Sequence, residues 1–316
     1  MTIRLIDLIK KVPPDSEERV DRARGRFNQA IRECLRRETA LSLARKDPLG
    51  RLPDKDRPQI PIKVLPGLPE GLEDVEFDDD FDLYLELSRY RVALQEVRSG
   101  GTPLPNLFKF LHGSSRGSAL LAGRDEHLPP VMALVNDLLA EIDSRDPVQK
   151  LLLVSQDVLG VYRIIGLFPP MRTEVHLFWA VIALVSGWLG TSVEGLTVVV
   201  LAHELAHGYT HIGADIDRVT WDTDAFINAE KGLIEGLAQH YTHLVCQALE
   251  FRFPEALAAY QALLPRQPPP YQTQKQWEKV HSKEMIRLAL LTTRRRMQTT
   301  LAEFMKNLNQ AEQDLT

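Results

Sequence analysis

Over residues 193–211 the chain reads VEGLTVVVLAHELAHGYTH, and this stretch organises the fold that we expect around it. The apolar run at 196–201 is typical of a buried helix. The TSVE pattern at 191–194 predicts a capping box at its start. Gly190 is placed to end the preceding apolar segment. The sequence therefore predicts one helix at about 179–189 and a second at 193–211.

The second of these helices contains the pattern HExxH at 203–207. Because helical residues advance by about 100° each, His203 and His207 point only about 40° apart. Their imidazoles can share one metal ion. Glu204 lies about 100° from His203, where it can act on a water molecule beside the metal rather than bind the metal. The alternative is a pair of surface histidines on an amphipathic helix, and the apolar residues upstream favour the metal interpretation.

A catalytic zinc ion needs a third protein ligand and an open position. His211 continues the spacing, but it lies about 12 Å along the helix axis from His203, too far to share an ion. We interpret His211 as a surface residue or as a residue that supports the ligands.

Glu235 is the better candidate for the third ligand. It lies in a predicted helix between Gly232 and Gly236, and glycine costs roughly 1 kcal/mol in a helix interior. The small residues Gly232, Gly236 and Ala238 indicate that this helix closely approaches the HExxH helix. An ordinary exposed glutamate is the alternative, and Glu230 is the rival carboxylate.

The combination resembles the gluzincin group of zinc metallopeptidases, which pair HExxH on one helix with a glutamate ligand on a later helix. The resemblance covers roughly residues 149–265, and HExxH at 203–207 and EGxA at 235–238 carry it. It implies an α+β fold: a mostly helical zincin-like catalytic domain with a small sheet. The edge strand of that sheet would align an extended substrate, and we predict this edge at 173–178.

The same resemblance implies zinc-dependent hydrolysis of peptide bonds. Zn²⁺ would be held by His203, His207 and Glu235, with Glu204 as general base on the attacking water. A peptide or protein is then the expected substrate.

The resemblance also implies a tyrosine or histidine that stabilises the oxyanion. Tyr241 and His243 are favoured because they share a helix with Glu235, but the sequence does not choose among the candidates Tyr209, His240, Tyr241, His243, Tyr271 and His281. Ligand histidines commonly donate their second N–H to a carboxylate, for which the loop between the ligand helices offers Asp215, Asp217, Asp222 and Asp224.

Two regions are expected from the composition along the chain. An N-terminal helical region with a proline-rich linker covers 1–145 and has no assigned role, and a zincin-like domain with C-terminal helices covers 146–316. Repeated prolines prevent a continuous helix in the linker. The predicted elements are a charged helix at 17–45, a helix at 81–97, a glycine–serine loop at 113–118, a helix at 129–142, one or two strands at 151–165 and a long helix at 271–308.

Overall composition limits the function classes. The 316 residues are 44% hydrophobic and 26% charged, and the net charge of −5 gives no reason to expect nucleic acid. Cys34 and Cys246 are too few for a disulfide framework or a cysteine-based zinc site. The first residues lack the apolar core of a signal peptide, so a cytoplasmic location is expected.

Two alternatives belong to other classes. One is a regulatory or partner-binding protein with a zincin fold, which acts by binding or by cleaving one specific protein. Glu204 favours an enzyme, because a purely structural metal site needs no general base. The other is an intramembrane protease. The apolar stretch 175–202 breaks at 190–192 into halves shorter than the ~20 residues of a membrane-spanning helix, so we expect no membrane association.

Overall fold

A computed structural model describes residues 2–43, 60–78, 81–99, 128–154, 158–166 and 172–315. The predicted glycine–serine loop at 113–118 and much of the proline-rich linker lie outside these residues. The chain forms two compact units, which comprise Met1–Arg4 with Val75–Leu151, and Leu5–Asp74 with Leu152–Thr316. This division differs from the boundary at 145 that composition suggests.

The elements of the described residues are mainly helical. The strands are β1 (Ile3–Arg4), β2 (Ile62–Leu65), β3 (Glu76–Phe77), β4 (Gly160–Ile165) and β5 (Arg172–Phe178). The helices are α1 (Leu5–Ile9), α2 (Ser16–Thr39), α3 (Phe81–Arg89), α4 (Arg91–Ser99), α5 (Leu128–Arg145), α6 (Pro147–Val154), α7 (Trp179–Leu189), α8 (Val193–Ile212), α9 (Thr223–Ile227), α10 (Lys231–Leu249), α11 (Pro254–Leu263), α12 (Gln274–Glu278), α13 (Lys283–Arg295) and α14 (Leu301–Leu315). Helices together with small sheets make this an α+β fold.

In the first unit, β1 pairs antiparallel with β3, and helices α3, α4 and α5 pack together. Arg91 at the start of α4 forms ion pairs with Asp143 and with Asp146, the latter at 3.2 Å. The helix predicted at 81–97 is instead two helices, which meet at Tyr90.

A three-stranded sheet in the second unit has the order β2-β5-β4, with β2 parallel and β4 antiparallel to β5. The prediction that 173–178 forms an edge is therefore wrong. β5 is the central strand, and every residue from 173 to 178 is buried. Among the described strands, β2 and β4 are the outer strands of this sheet.

Helices α7 and α8 confirm the predictions for 179–189 and 193–211. Gly190 ends α7 with a φ of +65°, in the left-handed region that favours glycine. The cap of α8 is Ser192, whose Oγ accepts from the amide of Gly195 at 3.0 Å, rather than the capping box predicted over 191–194. Glu194 in the first turn forms a two-pronged ion pair with Arg19 of α2, with both N–O distances at 2.7 Å.

Helix α8 lies at the centre of the second unit. It contacts α2, α7, α10, α11 and the strands β4 and β5, and its residues 195–211 are all buried. Contact on every side explains why the helix is apolar all round rather than amphipathic.

Two other sequence predictions differ from the structure. The segment 151–165 is not all strand, since α6 runs to Val154 and β4 begins at Gly160. The long helix predicted at 271–308 is a 3-10 turn followed by α12, α13 and α14. Local caps cause the breaks: Ser282 accepts from the amide of Met285 at 3.3 Å, and Met297 adopts a φ of +52° after α13.

Among the described residues, no single helix has the length and apolarity needed to cross a membrane. In the described part of the chain, one pair of helices, α7 and α8, has both when taken together, and the two helices meet at a bend of 120°.

Candidate metal centre

Three predicted residues meet between α8 and α10. Nε2 of His203 lies 3.1 Å from Nε2 of His207 and 3.1 Å from Oε2 of Glu235. Nε2 of His207 lies 3.3 Å from the same carboxylate oxygen. The structure thus brings together, from two helices, three atoms that can each donate an electron pair to a metal ion.

This donor set fits a zinc ion. Zn–N and Zn–O bonds of about 2.0–2.2 Å place the ligand atoms of one ion about 3–3.5 Å apart, which are the separations observed here. Three electron-pair donors this close repel one another unless a proton or a cation lies among them. His203, His207 and Glu235 therefore form a group that could hold a metal.

The centre is shielded from solvent. His203 and His207 are buried, and the side chain of Glu235 is 14% exposed. Burial raises the pKa of Glu235, but the charges and hydrogen bonds of His207 and His203 outweigh burial and hold that pKa far below its ordinary value. The neighbouring imidazoles therefore favour the carboxylate form of Glu235.

Glu204 lies beside this centre, under strand β4. A Cβ added at Gly160 would meet Cγ of Glu204 at 3.2 Å, Cγ1 of Val200 at 2.6 Å and the carbonyl oxygen of His176 at 3.1 Å. The backbone of β4 can cross α8 at Glu204 only because position 160 has no side chain. The extended backbone of β4 thus passes close to the predicted base.

Strand β4 also presents backbone groups on the side that faces away from β5. The amide of Phe178 donates to the carbonyl of Leu159 at 3.0 Å, which sets the alternation of the antiparallel ladder. Backbone groups of Gly160, Tyr162 and Ile164 consequently point away from β5. In the part of the chain that the structure describes, no strand pairs with this edge.

Gln239 is a neighbour of His203 that the sequence analysis missed. Its Nε2 lies 3.3 Å from Nδ1 of His203 and 3.0 Å from Oε1 of Gln267. Amide O and N atoms are interchangeable by rotation, so the same contact lets Oε1 accept from Nδ1–H when His203 uses Nε2 for a metal. The signal was available: Gln239 lies four residues after Glu235 and therefore on the same helix face.

The glycines around Glu235 have a different role from the one predicted. A Cβ on Gly236 would lie 2.6 Å from Cη2 of Trp277, and one on Gly232 would make ordinary contacts with Thr273 and Leu301. The glycines therefore face the C-terminal segments rather than α8. The ring of Trp277 packs against α10 at Gly236.

His211 is buried and does not reach the ligand atoms. Its Nδ1 lies 2.9 Å from the hydroxyl of Tyr162, and its Nε2 lies 3.0 Å from Oγ1 of Thr223. Its ring stacks on Phe226 at 4.4 Å between centroids, and both Tyr162 and Phe226 also contact the ring of His207. His211 thus belongs to an aromatic shell around His207, not to the surface.

Neither favoured oxyanion stabiliser lines the cleft beside Glu204. Tyr241 is fully buried on another face of α10, and His243 lies 3.2 Å from Oε2 of Glu278 and stacks on Tyr260. Tyr271 does line the cleft and stacks on His203, with 5.5 Å between centroids. Among the six candidates, Tyr271 alone lines this cleft.

Three of the four loop aspartates make other contacts. Asp215 and Asp217 pair with Arg295, and Asp222 caps α9 through the amide of Ala225 at 3.0 Å. The polar neighbour seen at His203 is instead the side-chain amide of Gln239.

The chain matches no protein-family model, no curated protein and no solved structure. The described residues provide a group that could hold a metal, a carboxylate one residue along from His203, an outer strand of the sheet and a cleft lined by both His203 and Glu204.

Proposed function

We propose that this chain is a zinc-dependent peptidase of the gluzincin type. The observation that carries the proposal is the meeting of Nε2 of His203, Nε2 of His207 and Oε2 of Glu235 within 3.3 Å, beside a further carboxylate, Glu204. His203, His207 and Glu235 would hold the zinc. Zinc, when bound, supplies a Lewis acid that polarises a carbonyl and makes water nucleophilic near neutral pH.

Glu204 is the group that moves the proton. Its carboxylate takes a proton from the attacking water as the water oxygen bonds to the peptide carbonyl carbon. As the C–N bond breaks, the proton passes from Glu204 to the leaving amine nitrogen.

The open edge of β4 would orient the substrate. Backbone groups of Gly160 and Tyr162 face outward there and can pair with an extended peptide, as an added strand does. Position 160 lies so close to Glu204 that an added Cβ would be 3.2 Å from its Cγ, so a peptide paired with this edge would pass near the base. Tyr271 is the side chain that we assign to the oxyanion.

The decisive variant is Glu204→Gln. We expect purified wild-type protein to contain about one zinc per chain by mass spectrometry of the metal and to cleave members of a peptide library. Glu204→Gln should keep the zinc and lose roughly 10²–10⁴-fold in kcat/KM, because the amide cannot accept the proton. Glu284→Gln, an exposed carboxylate on α13, is the matched control and should leave cleavage unchanged.

The outcomes separate the candidate functions. Zinc binding without cleavage, together with unchanged cellular function in Glu204→Gln, would favour a partner-binding protein. If the purified wild-type protein contained no zinc, the proposal would lose its basis.

A further inference from the structure

Tyr162 of strand β4 and His211 of helix α8 are joined by a hydrogen bond close to the proposed metal ligands. The hydroxyl of Tyr162 lies 2.9 Å from Nδ1 of His211, and it also forms a hydrogen bond with the side chain of Thr173 in β5. Nε2 of His211 lies 3.0 Å from Oγ1 of Thr223, the first residue of α9. A chain of polar side chains therefore connects the sheet, α8 and α9.

The ring of His211 is held in one orientation. It stacks on Phe226 with 4.4 Å between centroids, and each of its two nitrogens faces a hydroxyl group. Burial lowers the pKa of His211 to about 4, so the ring is neutral at pH 7. A neutral imidazole has one N–H donor and one acceptor, which allows it to accept from Tyr162 and to donate to Thr223. The ring is thus a fixed point on α8 to which strand β4 is bonded.

Strand β4 meets α8 at two points. At Gly160 the strand lies so close to the helix that an added Cβ would be 3.2 Å from Cγ of Glu204. At Tyr162 the ring lies 6.4 Å from that of His207 between centroids, and its Cε2 would be 3.3 Å from a Cβ added at Gly208. Positions 160 and 162 are about 6.7 Å apart along a strand, and positions 204 and 208 are about 6 Å apart along a helix. The strand therefore follows the part of the helix that contains the predicted base and the second histidine ligand.

These two contacts restrict different movements. Van der Waals contact at Gly160 limits how closely the strand approaches the helix, but it does not resist sliding of the strand along the helix axis. The hydrogen bond between Tyr162 and His211 does resist sliding, because hydrogen bonds weaken steeply when their geometry departs from linear. The antiparallel ladder between β4 and β5 transmits this restraint to the rest of the sheet. The bond therefore fixes the position of the sheet along α8.

We propose that Tyr162 and His211 are positioning residues, whose hydrogen bond sets where a peptide paired with β4 lies relative to Glu204 and the three metal-binding side chains. The inference rests on the proposed peptidase function and adds to it the residues that align the substrate with the reacting groups. A displacement of about 1 Å between reacting groups can lower a rate by about 100-fold. One hydrogen bond at this place can therefore affect the reaction although neither side chain supplies a metal ligand or a proton.

Tyr162→Phe tests the bond, because it removes the hydroxyl and keeps the ring beside His207. We expect kcat to fall about 10-fold with KM within about 2-fold of wild type, since the peptide still pairs with the strand but its carbonyl is displaced. Zinc affinity should not change, because Tyr162 is not among the metal-binding side chains. Tyr90→Phe, at a tyrosine of the first unit that is 61% exposed, is the matched control and should leave kcat and KM unchanged.

Two substitutions of His211 separate positioning from packing. Both His211→Asn and His211→Gln remove the ring that stacks on Phe226, so they lose the same packing contact. The shorter asparagine can place its amide oxygen near the site of Nδ1, where it accepts from Tyr162, whereas glutamine extends to the site of Nε2. The kcat of His211→Asn should therefore exceed that of His211→Gln by about 5- to 10-fold. Equal kcat in these two variants, or a wild-type kcat in Tyr162→Phe, would overturn the proposal.

The binding of two chelating ligands tests the alignment without turnover. In zinc-loaded Glu204→Gln, a short extended peptide that ends in a hydroxamate can bind the metal and pair with β4 at the same time, whereas acetohydroxamate can bind only the metal. Addition of Tyr162→Phe should weaken the peptide hydroxamate about 10-fold, because the two parts of this ligand no longer fit both positions together. The affinity for acetohydroxamate should not change.

The outcomes separate this inference from the proposed function. If the wild-type protein cleaves no peptide but the two ligands behave as expected, the peptidase proposal fails and the alignment by Tyr162 and His211 stands. If peptides are cleaved but Tyr162→Phe weakens both ligands equally, or weakens neither, the positioning role is wrong and the peptidase proposal stands. A protein that binds no zinc would contradict both.

Discussion

At the scale of single side chains, the contact between Gln239 and His203 is the one with the clearest thermodynamic consequence. A histidine that binds metal through Nε2 keeps its proton on Nδ1, and an acceptor there fixes the ring orientation. Gln239→Leu should therefore weaken zinc binding roughly 10- to 100-fold, and Gln239→Glu should preserve it. Competition with a chromophoric chelator measures both affinities.

The control for this prediction is Gln247→Leu, an exposed glutamine on the same helix. It should bind zinc as wild type does. Equal zinc affinity in Gln239→Leu and wild type would mean that the amide does not orient the ligand.

At the scale of elements, helix α12 packs against the side of α10 on which Gly236 lies. Gly236 packs against Trp277 so closely that an added Cβ would lie 2.6 Å from the indole ring. Gly236→Ala should lower the free energy of unfolding by about 1–3 kcal/mol through overpacking. Gly25→Ala on α2 has nothing within 4 Å of the new methyl group and should be neutral or stabilising by up to about 1 kcal/mol. Urea denaturation of the two variants checks the contrast, and equal losses in both would contradict it.

The same two helices are joined by Glu278, whose carboxylate lies 2.8 Å from Nδ1 of His240 and also contacts His243. Burial raises the pKa of Glu278, but the hydrogen bonds of His240 and His243 dominate and lower it from 4.5 to about 2. A lowered carboxyl pKa means that the folded state favours the anion. The stabilisation is complete above about pH 4.5 and disappears as the pH falls through about 2.

Glu278→Gln should accordingly lower the free energy of unfolding by about 1–3 kcal/mol at pH 7. The difference in free energy of unfolding between this variant and wild type should become smaller below pH 4.5 and disappear near pH 2. Urea denaturation of both proteins across this pH range measures the difference. If the difference in free energy of unfolding stayed constant with pH, the charge of the Glu278 carboxylate would not be its source.

How far the sequence predicts these elements depends on how local their determinants are. Helix α8 is predictable because its cap, its apolar run and its HExxH pattern lie within 21 contiguous residues, Ser192 to Ile212. The central position of β5 is not, because its parallel neighbour β2 lies more than one hundred residues earlier. Glu235 lies next to the two histidines as expected. The neighbouring Gly236, however, gives room for the ring of Trp277 and not for a close approach of α8.

At the scale of the whole molecule, metal binding should be linked to the stability of the second unit, which contains all three donor residues. A ligand that binds only the folded state at 1,000 times its Kd stabilises it by about 4 kcal/mol. Zinc should therefore raise the unfolding temperature by several degrees in scanning calorimetry, and a chelator should reverse the rise. His203→Ala should remove the response and His281→Gln should retain it, while an equal response in His203→Ala would place the bound zinc elsewhere.

The pairing of Arg19 with Glu194 has a consequence for how the protein is made. Helix α2 is synthesised long before α8, its partner in the core, and unit-one residues 75–151 emerge between them. The third donor, Glu235, and its support, Trp277, emerge later still. More than 150 residues are therefore added to a nascent chain between the end of α2 and the start of α8, and His203, His207 and Glu235 cannot come together until residue 235 has been made.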